Sequence, residues 1–384
     1  MRESKKFFGI LGIFLFVFLG TGFARPDVFF QPFNLENLVR WTALYGILSI
    51  GVVFPILTGG IDLSIGSVVG LVGTLLPWLL VSHGWSVGSA IVAVLLLSCL
   101  LGLFHGLLIT RLGLQPFVVT LCGLLLYRGI ARWLTDDQTQ GFGSSYEGLR
   151  ALATGRPLSM AWVLVATGAA AGLSGALSWR RRKRSGERYG GAVAFVVFGG
   201  ALALSGLALM LQGGEGLGSL RAPTPFLFLI VLGVAAHLLL GRTVFGRYLF
   251  AVGRNDEAAR YAGIRTDRVL IGAYVLCSGL AGLGGVLFAL DINSVQPASH
   301  GNFYELWAIA AAVLGGCSLR GGEGSIAGVV VGAAVMRVIY NSINLLEIPT
   351  TLIFAIVGAV LLLGVSADEL VRRTLQRRAR RPAG

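Results

Sequence analysis

The stretch ILTGGIDLSIGS, residues 56–67, sets a carboxylate inside sequence that is otherwise apolar enough to lie in lipid. An ionised acid near the centre of a bilayer is costly, so Asp62 needs a structural or functional reason to be there. Gly59 and Gly60 permit a broken backbone, and a side-chain oxygen of Asp62 or Ser64 can then cap the free N–H groups of the helix that follows. We therefore expect a chain reversal between two membrane helices, with Asp62 as its anchor near a membrane interface.

The composition around this stretch is that of a membrane protein. Of the 384 residues, 55% are hydrophobic and only 13% are charged, and the mean hydropathy is +0.79. Soluble domains carry about 25% charged residues. Apolar runs long enough for a bilayer recur along the chain, without the alternating pattern of a membrane-spanning β-barrel. We predict an all-α fold: one polytopic transmembrane helix bundle, residues 1–384, with about 10–12 spans.

The apolar runs place the candidate spans. The weakest lies at 305–319, which is short and ends in GGCSLRGGEGS, so a re-entrant element near 305–325 is the alternative there. We predict spans near residues 7–24, 41–58, 65–82, 86–110, 116–134, 159–179, 190–211, 224–241, 269–290, 305–319, 323–345 and 349–365.

Positive charge orients these spans, because Lys and Arg accumulate on the cytoplasmic side of membrane proteins. Four basic segments are MRESKK at the N-terminus, RRRKRSGER (180–188) within an insertion at 142–221, the loop 242–268, and RRTLQRRARR near the C-terminus. About twelve crossings put all four on one side, so we expect both termini in the cytoplasm. Topology explains the net charge of +13 better than nucleic-acid binding does, and RRRKR could also bind anionic lipid.

Small residues spaced four apart recur in the apolar runs, as in GSVVG (66–70), GAAAG (168–172) and GVVVG (328–332). Such spacing lets two membrane helices bring their backbones close together. We expect these three segments to lie at helix contacts.

A long polar connection, 242–268, carries the signals of a folded helix outside the membrane. Asn255 can cap its N-terminus, Asp256 and Glu257 place negative charge in the first turn where the helix dipole favours it, and Gly263 supplies a stop. We predict a helix of about two turns. It is either an ordinary surface connection or, as its length and capping favour, a knob that fits the groove of a partner.

Three motifs, in similar order and spacing, resemble those of the membrane permeases of bacterial ABC importers for ribose, xylose and related sugars. GGIDLSIGS is similar to the most recognisable stretch of that family, and AIAAAVLGGCSLRGGEGS (308–325) is similar to another. EAA at 257–259, followed by Gly263 and Ile264, looks like the coupling signature through which importer permeases engage their ATPase.

The resemblance covers the chain from about Asn34 to Val365. The basic segment at 180–188, followed by RAPTPFLFL, is most like the xylose branch of the family. The family implies an ATPase-coupling set and a set of structural or pathway residues. The first is Gly253, Asn255, Glu257, Ala258, Ala259, Gly263 and Ile264, and the second is Gly59, Gly60, Asp62, Ser64, Gly66, His105, Trp307, Gly315, Gly316, Gly321 and Gly322.

Three positions depart from the family pattern. His105 in FHGLLI stands where Asn is usual, Trp307 in YELWAIAA stands where Asp is usual, and the apolar LIFAIVG (352–358) replaces a more polar stretch. These changes leave the architecture intact but alter groups that could line a pathway. They bear on which sugar is transported.

The resemblance implies a permease subunit, not an enzyme, that moves a monosaccharide such as xylose inward across the inner membrane of a bacterium. The partners it implies are two ATPase subunits, an extracytoplasmic sugar-binding protein and a second copy of the chain. The sequence contains no GxxxxGK[ST] phosphate loop, and its lysines are Lys5, Lys6 and Lys183, so ATP hydrolysis is expected on a separate subunit. The cysteines and histidines show no pattern of a disulfide framework, metal site or catalytic group, and no cofactor is predicted.

Two other functions remain open from the residues alone. A proton-driven secondary sugar transporter would use Asp62 as a titrating carrier and would need further acids within its spans, whereas Asp291, Glu305 and Glu347 lie at predicted span ends. A membrane scaffold would transport nothing. Uptake into vesicles with ATP inside but without an ion gradient separates the importer from both.

Overall fold

The computed structural model describes residues 2–184, 190–214, 216–360, 362 and 366. Across these residues the regular structure is helical apart from four two-residue strands. Eight of the described helices are long and apolar enough to cross a membrane. Each of the other predicted spans overlaps a shorter apolar stretch of helix, and these stretches are Gly9–Ala24, Gly199–Leu211, Tyr304–Leu314 and Thr350–Val360. The all-α, polytopic fold predicted from composition is confirmed.

The elements follow one another along the described chain with mostly short connections. The helices are α1 (Arg2–Ala24), α2 (Pro26–Phe29), α3 (Pro32–Leu57), α4 (Ile65–Pro77), α5 (Val87–Arg111), α6 (Pro116–Leu134), α7 (Glu147–Thr154), α8 (Met160–Arg184), α9 (Gly190–Leu211), α10 (Thr224–Arg242), α11 (Val244–Arg254), α12 (Asp256–Tyr261), α13 (Thr266–Ile292), α14 (Tyr304–Leu314) and α15 (Ile326–Leu345). The strands are β1 (Gln140–Gly141), β2 (Leu158–Ser159), β3 (Arg221–Ala222) and β4 (Ser294–Val295), and β1 pairs with β4 and β2 with β3, both antiparallel.

The long helix α13 lies at the centre of the bundle, where it packs against α3, α4 and α5. Small residues on its buried face allow this close approach. Gly282 lies against Ser98 of α5, and Gly285 lies against Val69 of α4, so that a side chain at either glycine would crowd its neighbour. Lipid tails are as apolar as the side chains, so membrane helices are held together largely by such close packing.

The three small-residue motifs lie at close contacts, as predicted. Between α8 and α9, a Cβ on Gly199 would lie 2.6 Å from the carbonyl oxygen of Gly168. Between α14 and α15, a Cβ on Gly332 would lie 2.9 Å from the backbone nitrogen of Gly315. Gly70 of α4 lies against the loop that precedes α14. In each place a larger residue would force two backbones apart.

The span predicted at 305–319 forms the short helix α14, which ends at Leu314. Its 11 residues rise about 16 Å, roughly half the thickness of a bilayer core. The chain then turns through 315–325 into α15, and α14 packs against both α3 and α15. This length is too short for α14 to cross a bilayer alone. Asp291 at the end of α13 pairs with Arg40 in the first part of α3, whereas Gly322 in the turn after α14 bonds Leu57 at the end of α3. The segment 293–322 therefore runs from one end of α3 to the other and does not return to the side it left.

Helix α3 begins at Pro32, well before the span predicted at 41–58. The first part of α3 carries polar side chains, and for this reason the sequence-based span began too late. Three of these side chains have a partner far away in the sequence: Asn34 bonds Asn341 of α15, Glu36 pairs with Arg156, and Arg40 pairs with Asp291 of α13. Because these polar groups are paired, they can be part of the same helix as the apolar residues that follow them.

Glu36 fastens the insertion at 142–221 to the bundle. Its buried carboxylate pairs with Arg156 and accepts the backbone N–H of Arg221 at 2.7 Å. Arg221 also donates from Nε to the carbonyl oxygen of Arg156 at 3.0 Å. Arg156 precedes β2 and Arg221 begins β3, so one acid of α3 holds both chain ends of the helix pair α8–α9.

Two of the basic segments used for orientation extend beyond the described residues. RRRKRSGER continues past Arg184, the end of α8, into 185–188, and RRTLQRRARR at 372–381 lies wholly outside. The cytoplasmic location of these segments, and any contact of RRRKR with lipid, stay predictions.

We expect Glu36→Ala to lower the thermal stability of the purified protein in detergent. The change leaves the Arg156 guanidinium and the Arg221 N–H without their acceptor, and such losses cost about 1–3 kcal/mol. Glu147→Ala is the control, because Glu147 is an exposed acid at the start of α7. The measurement is the midpoint of thermal unfolding, and equal midpoints for Glu36→Ala and the wild type would contradict the role given to Glu36.

Candidate functional site

Three segments that are far apart in sequence meet backbone to backbone at one place in the bundle. The Gly322 N–H donates to the carbonyl oxygen of Leu57, the last residue of α3, at 2.9 Å. A Cβ on Gly253 of α11 would overlap both groups, and a Cβ on Gly321 would lie 2.8 Å from the Gly59 nitrogen and from the Gly253 oxygen. We call this contact of Leu57, Gly59, Gly253, Gly321 and Gly322 the glycine junction. No side chain separates the three segments, so a displacement of one must displace the others.

Two short helices lead from the junction to the surface. Helix α11 begins after Thr243, whose hydroxyl accepts the Gly246 N–H at 3.1 Å, and α12 begins after Asn255, whose side chain accepts the Ala258 N–H at 2.9 Å. The predicted helix after Asn255, and its cap, are confirmed as α12. Helix α11 was not predicted, although Thr243 is a residue type that favours the start of a helix.

The far end of α12 is fixed by a tight turn. Gly263 has a φ of +83°, a conformation that a residue with a side chain rarely adopts, as predicted for a helix stop. The Ile264 N–H donates to the carbonyl oxygen of Ala259 at 3.1 Å, and Ala259 is buried beneath the helix. Both ends of α12 are therefore fixed by contacts within this chain.

The outward face of α12 has no covering among the described residues. Glu257 and Ala258 are exposed, and Tyr261 is 85% exposed. Sequence reasoning found the acid and missed the tyrosine. The sequence did indicate it, because an aromatic residue in a short, polar, capped helix outside the membrane is expected to be exposed.

Asp62 lies in the turn between α3 and α4, as predicted, but it does not cap the helix in the expected way. Its Oδ1 accepts the Ser64 N–H at 2.8 Å and the Ser64 hydroxyl at 2.6 Å. Among the residues that the structure describes, no side chain caps the first turn of α4, so that part of the prediction is wrong. The reason is that Ser64 has helical rather than extended backbone angles, and only the extended form aims a side chain at the first free N–H groups.

The surroundings of Asp62 are polar and sealed. His105 Nε2 and the Tyr127 hydroxyl lie 2.7 Å apart, and the Tyr274 hydroxyl lies against Gly60. All four polar side chains are buried. Asp62 Oδ2, His105 Nδ1 and the Tyr274 hydroxyl have no hydrogen-bond partner among the described residues. The cluster therefore keeps unused donors and acceptors inside the protein, where most such groups are paired.

The predicted site residues separate into groups. Gly66 belongs to a different contact from the Asp62 cluster. The absence of a side chain at Gly66 lets Glu305 and Gly301 approach α4. Gly315 ends α14 against Val329, and Gly316 follows it in the turn. Trp307 is buried among aromatic rings of α3 and α15. The structure brings together the junction glycines in one place, and Gly60, Asp62, Ser64 and His105 in another.

Comparison with known proteins gives the class of protein. Residues 34–365 match the family described as the branched-chain amino acid transport system / permease component. The chain therefore belongs to this family of membrane permeases, which confirms the resemblance carried by the three motifs. It is a multi-pass protein of the inner membrane, and a transport subunit rather than an enzyme.

Relatives with curated names cover almost the whole chain. The xylose transport system permease protein XylH of Escherichia coli (strain K12) is 34% identical over 386 residues, which is 96% of this chain and 93% of the relative. The XylH protein of Haemophilus influenzae is 31% identical, over 90% of this chain and 91% of the relative. The ribose import permease protein RbsC of Bacillus subtilis is 31% identical, over 95% of this chain and 92% of the relative. No solved structure matches the chain.

We expect Gly253→Ala to destabilise the protein, because the added methyl group would overlap backbone atoms of Leu57 and Gly322. Overpacking of this kind costs about 1–3 kcal/mol. The matched control is Gly241→Ala, since nothing lies within 4 Å of a Cβ at Gly241. Thermal unfolding in detergent should separate the two variants, and a Gly253→Ala protein as stable as Gly241→Ala would refute the close contact.

We expect Asp62→Asn to be milder than Asp62→Leu. The amide oxygen of Asn can still accept the Ser64 N–H, whereas Leu leaves the Ser64 groups unpaired in a buried place, at about 1–3 kcal/mol. Folded yield and unfolding midpoint of both variants are the measurements. Equal losses for Asn and Leu would show that the negative charge, and not hydrogen-bond acceptance, is what the turn requires.

Proposed function

We propose that this chain is the transmembrane permease of an ATP-binding cassette importer that moves a monosaccharide, xylose or a related sugar, into a bacterial cytoplasm. Its family and its named xylose and ribose permease relatives support this proposal. Two copies of the chain would form the membrane part. Two ATPase subunits would bind on the cytoplasmic side, and an extracytoplasmic sugar-binding protein would deliver the substrate.

The observation that carries the proposal is the direct backbone contact between α11 and the broken segment after α3. A protein that binds α12 and moves it must also move Gly253, because Asn255 follows the end of α11 without a linker. Gly253 contacts Leu57 and Gly322 through backbone atoms, so the movement reaches α3 and the turn before α15. Coupling requires this type of element, whose two positions a partner can favour differently.

The outward face of α12 supplies the docking surface. Tyr261 projects an aromatic ring, Glu257 adds a negative charge, and the turn at Gly263 fixes the ring's position relative to the membrane helices. Tyrosine contributes large contact area at small loss of conformational freedom, which makes it a frequent centre of protein interfaces. The ATPase is the partner that this knob would fit.

The orientation follows from the same proposal. If α12 meets a cytoplasmic ATPase, the end of α3 at Leu57 and the beginnings of α4 and α13 face the cytoplasm. The N-terminus, the basic segment at 180–188 and the C-terminus would lie on that side too, where positive residues accumulate. The basic segment at 180–188 would then lie near anionic lipid headgroups.

We expect Glu257→Lys, Tyr261→Ala and Gly263→Val each to abolish ATPase binding and uptake, while membrane insertion stays normal. The first two change the outward face of α12, and the third forces a β-branched residue into a φ of +83°. Glu147→Lys is the control for charge reversal, because Glu147 is exposed on α7 at the start of the insertion. The measurements are co-purification of the ATPase and uptake of radiolabelled D-xylose by proteoliposomes with ATP inside.

The same assay tests the energy source. We expect uptake by the wild type to require ATP and to persist when an uncoupler collapses the proton gradient. Uptake that dies with the gradient and ignores ATP would contradict the proposal and favour a proton-driven transporter. Normal uptake and normal ATPase binding by the α12 variants would contradict the docking surface alone.

A further inference from the structure

A partly exposed arginine of α15 is surrounded by aromatic rings near the middle of the bundle. The guanidinium carbon of Arg337 lies 4.5 Å from the ring centroid of Tyr340, 5.2 Å from that of Trp41 and 5.4 Å from that of Tyr45. These distances are typical of cation–π contacts. We call these residues, with Trp307, the Arg337 cage.

Trp307 completes the wall of the cage. Its ring lies 6.1 Å from Tyr45 and 5.9 Å from Tyr340, measured between centroids. The cage joins α3, α14 and α15. Helix α3 ends at the glycine junction, and the turn between α14 and α15 contributes the other side of that junction. Trp41, Arg337 and Tyr340 are partly exposed, so the cage is not sealed.

Within the described part of the chain, Arg337 lacks the acidic partner that a membrane arginine ordinarily has. Its Nε is enclosed and has no hydrogen-bond partner, and no carboxylate of the described residues forms an ion pair with it. Arg40 on α3 also has an unpaired Nε, but it differs from Arg337 in forming an ion pair, with Asp291 at 2.9 Å. Charged residues within membrane helices almost always pair or face a cavity, and an unpaired one indicates a functional site.

The chemistry of the cage fits a neutral sugar better than an anion. Aromatic faces are electron-rich, so they attract C–H groups and repel negative charge, and three such faces already offset part of the Arg337 charge. What remains unmet are directional N–H donors, which the planar guanidinium presents as a fork. A monosaccharide offers an apolar C–H face for the rings and adjacent hydroxyl oxygens for the fork.

We propose that the Arg337 cage holds a monosaccharide during its passage through the permease, with the sugar stacked on Trp41 or Tyr340 and its hydroxyls bound by Arg337. This inference rests on the proposed function as a sugar permease. Tyr45 is 12 residues before Leu57, so the cage lies about 18 Å along α3 from the glycine junction. The site and the coupling contact are thus separate parts of the same helices.

The test compares two arginines by the same substitution. Arg337→Met replaces the guanidinium with an apolar chain of similar length, so D-xylose uptake by the ATPase-loaded complex should fall about tenfold or more. The loss of the cation–π contacts should lower the unfolding midpoint only modestly. Arg40→Met removes the partner of Asp291, so its midpoint should fall. Arg337→Lys keeps the charge without the fork and should also reduce uptake.

A second readout does not depend on transport. Saturating D-xylose should raise the unfolding midpoint of the wild-type permease and of Arg40→Met, but not that of Arg337→Met. Wild-type uptake by Arg337→Met, or protection of that variant by D-xylose equal to that of the wild type, would overturn the cage as a sugar site. A wild-type complex that is protected by D-xylose but shows no ATP-dependent uptake would contradict the proposed function and still support the site.

Discussion

The glycine junction is the contact on which the rest of the structure depends. Gly253, Gly321 and Gly322 leave no side chain between α11, the turn before α15 and the end of α3 at Leu57. Contacts between backbones are stiff, because no rotamer can change to absorb a displacement. The surface helix α12 is thereby joined to the membrane helices as part of one body. A helix packed through flexible side chains would lose part of any applied movement at this point.

Buried polar groups divide this protein into parts that hold the fold and parts that are free to bind. Glu36 meets Arg156 and the chain at β3, and these interactions fix the insertion. Arg337 and the unpaired oxygen of Asp62 have no such partners among the described residues. An unpaired polar group within a membrane protein reduces stability, so its presence favours a functional explanation. The paired groups explain the architecture, and the unpaired groups direct attention to the sites.

Much of the fold could be predicted from sequence because length and hydropathy determine which segments enter a bilayer. The start of α3 could not, since its polar residues find partners such as Asn341 about three hundred positions away. Local rules predicted the cap at Asn255 and the stop at Gly263, which depend on neighbours in the chain. They failed for the cap of α4, because the backbone angles of Ser64 depend on tertiary structure. The cage around Arg337 could not be predicted either, because its residues lie on three helices whose packing the sequence pattern does not show.

The most direct test of the central claim is whether α12 and the turn before α15 move as one body. Spin labels at Ala262 and Leu319, both exposed, report this distance in complexes that carry one labelled chain, with Cys99 and Cys122 replaced by alanine. We expect the distance between the labels to change by less than about 2 Å between the ATP-bound and nucleotide-free complexes. A larger shift, or a broad distribution in either state, would contradict rigid coupling through the glycine junction.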